Sequence, residues 1–154
     1  MRDTLVAFFL SMLPVIELRG GIIYAAARDV PFITAFIVCF LGNVLPVPFI
    51  LLFIRRILKF LENFKHTGKL VKKIENRAHA KSANIRKYQL IGLFLLVAIP
   101  LPGTGAWTGA LVAALMDLRI KKTFPVITLG ILCAGIIMSA LSFMIPGLFF
   151  SMDR

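Results

Sequence analysis

Apolar residues fill four stretches of this chain, and glycine, proline and charge sort those stretches into two kinds. The stretches from Leu5 to Ala27 and from Leu90 to Met116 are each broken midway, the first at Pro14-Val-Ile-Glu-Leu-Arg-Gly-Gly21 and the second at Pro100-Leu-Pro-Gly-Thr-Gly105. Each arm beside a break holds about a dozen residues. That makes roughly 18 Å of helix, against the roughly 30 Å hydrocarbon core that a spanning helix crosses. The pattern predicts two helical hairpins, over 4–28 and 90–116, that dip into a membrane and return on the same side. The segments 32–54 and 123–150 are long enough to span. In 32–54, Gly42-Asn43 followed by Pro46 and Pro48 removes amide donors and predicts a discontinuous helix. Gly130, Ala134, Gly135 and Ser139 give the last segment a small-residue face on which another helix can pack closely.

A broken stretch followed by a span occurs twice, which predicts a structural repeat even though residue identity between the halves is slight. Composition agrees with a membrane: 59% of the 154 residues are hydrophobic and the mean hydropathy is +0.91. This indicates an all-α integral membrane protein with one membrane domain over 1–154. The net charge of +11 is local rather than general. Arg55 to Lys87 holds eleven Lys or Arg against Glu62 and Glu75, nine of the net positive charges. A basic segment at 55–89 beside apolar spans reads as a cytoplasmic loop attracted to anionic inner-leaflet lipids, not as a nucleic-acid surface. Within it, Ile57, Leu58, Leu61 and Phe64, then Leu70, Val71, Ile74 and Ala78, recur at helical spacing and predict amphipathic cytoplasmic helices.

Charge also selects a topology. If both broken stretches crossed fully, the turn Asp117-Leu-Arg-Ile-Lys-Lys122 would face outward with three positive residues, against the positive-inside rule. If both are re-entrant, one from each face, that turn is cytoplasmic and Met1 and Arg154 lie outside. The expected architecture is two inverted-repeat re-entrant hairpins, each followed by a transmembrane helix, the arrangement in which transporters hold a site near the midplane. Arg2 before an apolar run and Ala25-Ala26-Ala27 superficially suggest a secretory leader, but Glu17, Arg19 and two glycines interrupt that run.

Glu17 and Arg19 carry the strongest chemical signal, since an ionisable group at membrane depth costs at least about 2.5 kcal/mol unless paired or wet. A carboxylate in such surroundings can exchange a proton near neutral pH, whereas an arginine stays charged and holds an anion or a neighbouring carboxylate. The competing reading is that the two neutralise each other in a shallow turn. Gly20-Gly21 and Gly103-Thr104-Gly105 are expected to open short helices whose free amides, with Arg19, Thr104 and Thr108, could cradle an anionic head group such as phosphate. Pro100 and the glycines could equally serve only the turn. Trp107 could stack on a ligand or fill the core. Asn43 could serve a ligand or bond between helices. Cys39, Cys133, His66 and His79 lie apart, so no metal, disulfide or other cofactor is expected, and no catalytic pattern points to an enzyme.

The run Leu13 to Gly21, the break Gly42-Asn-Val-Leu-Pro-Val-Pro48 and Ile99-Pro-Leu-Pro-Gly-Thr-Gly-Ala-Trp-Thr-Gly109 together resemble the small multi-drug export protein family of prokaryotes over nearly the whole chain. That family is similar to the wider DedA or VTT superfamily, whose members carry two facing re-entrant hairpins and act in proton-dependent or lipid-carrier transport. The resemblance implies a multi-pass protein of the prokaryotic cytoplasmic membrane. It also implies a proton-linked transporter of an amphipathic or lipid-phosphate substrate, with Glu17 matching the acidic residue of the first hairpin. The second hairpin departs from the DedA pattern, since Pro100 to Gly109 contains no arginine. So few helices enclose a pathway poorly, so a homodimer is expected. The alternative is a membrane integrity or interaction factor that transports nothing.

Overall fold

In the computed structural model, which describes residues 1–62, 83–101 and 103–144, both broken stretches become pairs of helices joined at a tip. The first hairpin is α1 (Arg2–Met12) and α2 (Glu17–Ala27), followed by α3 (Phe32–Val44) and α4 (Pro46–Glu62). The second is α5 (Ala83–Ala98) and α6 (Ala106–Leu115), followed by α7 (Ile120–Met144). Among the described residues all regular structure is helical. α1, α2 and α6 hold 11, 11 and 10 residues, or about 15–17 Å each, roughly half a hydrocarbon core. Two segments are long and apolar enough to cross: Phe32–Ile54 with 23 residues and Ile120–Met144 with 25.

Some boundaries differ from those expected. The break in 32–54 narrows to Leu45, which keeps right-handed helical geometry (φ −56°, ψ −45°) and bonds its N–H to Leu41 O at 3.0 Å. Pro46 falls at the first position of α4, where a missing amide is least costly, so the discontinuity is one residue wide. α4 runs on to Glu62 and α5 begins at Ala83, so both ends of the 55–89 segment continue apolar helices. Ile57, Leu58 and Leu61 therefore belong to α4 and not to a separate amphipathic helix, since no glycine or proline after Pro48 stops it. Phe64, the second amphipathic helix around Leu70, Val71, Ile74 and Ala78, and residues 145–150 of the last segment lie outside the described residues. The last helix starts at Ile120, ahead of Thr123.

Glycines set how closely the helices approach, and they do so twice with the same partners. A Cβ on Gly21 would meet Ser11 and Ala7 of α1 and Cys39 of α3; one on Gly109 would meet Val97 and Leu93 of α5 and Ile127 of α7. One on Gly42 would meet the Phe8 carbonyl and Ser11; one on Gly130 would meet the Phe94 carbonyl and Val97. The second set lies 88 positions along for second arms and spans, and 86 for first arms. The two-residue difference is the longer second tip. The second arms also end alike. Val30 N–H bonds Ala25 O and Leu118 N–H bonds Ala113 O, both at 3.0 Å, while Asp29 (φ +53°) and Asp117 (φ +49°) take the left-handed position of a Schellman turn. Val30 and Leu118 are then buried against the core. Residue identity hides this correspondence because the glycines recur while most of the residues they meet differ, Ala7 against Leu93 and Cys39 against Ile127.

Close packing and open space predict opposite outcomes for one substitution. Gly130→Ala forces a Cβ to within 2.8 Å of Val97 and should destabilise the fold by about 1–3 kcal/mol. Gly92→Ala, on α5 with none of the described residues within 4 Å, should be neutral or stabilise by up to about 1 kcal/mol. Unfolding of both variants in detergent micelles checks the pair.

Candidate functional site

The chain reverses through Leu13 to Ile16 at the first tip, where Glu17 N–H bonds Leu13 O at 2.9 Å and Glu17 itself sits at φ +51°. Left-handed backbone costs a residue other than glycine roughly 1 kcal/mol or more, and persists where the surroundings fix it. Here the side chain does the fixing. Glu17 is 5% exposed, its Oε1 accepts the Trp107 backbone N–H at 3.1 Å, and the Ala106 amide donates to the same carboxylate. These are the first amides of α6, which have no partner inside their own helix. A carboxylate there gains charge-assisted hydrogen bonds and the favourable end of the helix dipole. Gly105 admits it, because with φ +148° a Cβ would overlap the Glu17 carboxylate.

Arg19 takes the opposite pole. Its Nη1 donates to Leu101 O, and its Nη2 to Ile99 O at 3.3 Å and to Thr104 Oγ1 at 3.1 Å. Ile99 and Leu101 follow the end of α5, where carbonyls lack helical donors and a cation is the natural complement. The Thr104 hydroxyl, 2.9 Å from Leu101 O, closes the same tip. Two charges from one hairpin therefore clamp the other at both helix ends. Each reaches across to the second hairpin for its hydrogen bonds, although the two remain close enough to feel each other's charge.

Beside the clamp lies a cleft of about 540 Å³. Glu17, Arg19, Pro100, Gly103, Thr104 and Thr108 form its polar end, and Val15, Ile16, Ile23 and, from α7, Met138 and Leu141 its apolar wall. The size suits a drug-sized ligand. The Thr108 hydroxyl donates to Gly103 O at 3.0 Å.

The expected site residues divide accordingly. Glu17, Arg19, Pro100, Gly103, Thr104 and Thr108 meet at the cleft, with Gly105 at the contact between tips. Trp107 does not line it; its indole donates to Met12 O at 3.2 Å and packs on the core. Asn43 lies outside the cleft, buried on α3. Gly20 and Gly21 do not open a helix. α2 begins at Glu17, and Gly20 N–H is already bonded to Ile16 O at 3.0 Å. Of the expected anion cradle, the α6 end exists but the protein's own Glu17 carboxylate fills it. Ile16, Ile23, Met138 and Leu141 went unpredicted, because a cleft-lining apolar residue and a lipid-facing one look alike in sequence.

A family model described as "Putative small multi-drug export protein" matches residues 17–137, from the clamp glutamate into α7. No curated protein and no solved structure matches the chain.

The clamp predicts strong coupling between its two halves. Gly105→Ala should be severely destabilising in the native background, and Glu17→Ala should remove the overlapping partner. A double-mutant cycle on unfolding free energy should return an interaction term at the upper end of about 0.5–3 kcal/mol. Additive effects would show that the contact does not form.

Proposed function

This chain belongs to the small multi-drug export protein family, and from that premise we propose that it is a small secondary transporter in which protonation of Glu17 unlatches the two hairpins. The observation that carries this reading is that one carboxylate both caps α6 and lines the cleft. Ionised, it complements the helix end; protonated, it loses the charge that complements the amides and the dipole. The tips then separate and the cleft exchanges its contents. A proton and a substrate compete for the same carboxylate, which couples inward proton flow to outward substrate movement.

The substrate is an amphipathic, largely apolar molecule. Arg19 is committed to carbonyls and the α6 amides are committed to Glu17, so the charge left to a ligand is the carboxylate's own. This favours a cationic or neutral amphipath over a lipid phosphate. The short arms and the recurring glycine contacts support two inverted re-entrant hairpins, in the manner of DedA proteins. The unequal tips, one charged and one not, give the halves the two conformations that alternating access needs. The protein works without a cofactor, as a homodimer in the prokaryotic cytoplasmic membrane, with its basic 55–89 segment on the anionic inner leaflet.

In proteoliposomes, an imposed proton gradient should drive ethidium movement by the wild type. Glu17→Gln keeps an acceptor for α6 but exchanges no proton, and should reduce gradient-driven movement to background while remaining folded. In intact cells, Lys121→Cys should be labelled by an impermeant maleimide only after permeabilisation. Unchanged transport by Glu17→Gln contradicts the coupling, and labelling in intact cells contradicts the topology.

A further inference from the structure

Glu17 and Arg19 line both the cleft and a second, much smaller chamber of about 10 Å³, which Asn43 of α3 and Ile131 and Ala134 of α7 also line. Asn43 is 3% exposed, and its Oδ1 has no hydrogen-bond partner among the described residues. A buried amide oxygen without a donor loses its hydration and gains nothing in return. The chamber matches roughly the space one water occupies, and a buried water needs two or more polar partners. Asn43 and Glu17 both line this space and both carry acceptor oxygens, which a single water with two hydrogens satisfies together.

We propose that Asn43 is a positioning residue for Glu17: one buried water bridges Asn43 Oδ1 to the Glu17 carboxylate and steadies the ionised form that holds α6. The inference rests on the reading of Glu17 as a protonatable latch. A hydrogen bond donated to a carboxylate favours its charged state, so Asn43 sets the pH at which the latch opens. Arg19 is the charged group that faces Glu17 from its own helix. At the chamber, α3, α5, α6 and α7 present Asn43, Val97, Ala106, Ile131 and Ala134, none of which titrates. Cys39, one turn back on α3, faces Gly21 and the Ala7 carbonyl instead, and α1 meets the tip through Met12, which accepts from the Trp107 indole.

Trp107 is the single tryptophan and its amide binds Glu17, so its emission reports the latch. In vesicles, wild-type emission should titrate with pH and Glu17→Gln should be flat. Asn43→Leu, of similar size but apolar, should move the midpoint upward by about one pH unit, and Asn43→Ser, which keeps a hydroxyl, should return it toward wild type. Asn43→Val reads the same quantity if the leucine variant does not fold. A merely structural Asn43 would change stability and leave the midpoint in place. An unmoved midpoint in a titrating wild type overturns the role of Asn43 alone, whereas flat wild-type emission overturns the latch and this inference with it.

Discussion

A carboxylate seated on another hairpin's helix end is the interaction on which the rest of this structure depends. α6 starts at the buried pair Gly105 and Ala106, where an amide left without an acceptor is costly. Glu17 supplies the acceptor. Arg19 repeats the exchange at the α5 end with the opposite sign. The chain tolerates left-handed backbone at Glu17 and requires glycine at 105 because both serve that contact.

The recurring glycine contacts give the clamp its setting. Each hairpin packs against the span that follows it through matched glycines, Gly21 with Gly42 and Gly109 with Gly130. By the same correspondence, Glu17 falls opposite Gly105 and Arg19 opposite Trp107. The two halves match in how they pack and differ where they meet. One tip carries both charges and the other carries none, so the meeting point is a single asymmetric latch.

Much of this was legible in the sequence. Pro14 and Pro100 with their neighbouring glycines mark two tips, and arm lengths near half a bilayer follow from counting. Glu17 and Arg19 stand out because charge at that depth needs a reason. Their partners were harder to see, because backbone amides and carbonyls have no letter in a sequence. The available sign was that one tip carries two charges while the other, which must end one helix and start another, has none. Gly20-Gly21 misled, since paired glycines suggest a helix start, whereas here Gly21 admits α1 to α2. Pro46 and Pro48 also overstated the break, because a proline at a helix's first position interrupts little.

The central claim is that Glu17 ionisation holds the two tips together, and an inter-tip distance measures it most directly. Val15 and Leu101 are both exposed and lie on opposite tips. Pulsed electron resonance between nitroxides at these positions, in vesicles across a pH series, should show a short, narrow distribution at high pH that lengthens and broadens as pH falls. With Glu17→Gln the distribution should not respond to pH. A distribution in the native protein that stays the same at every pH would contradict the latch.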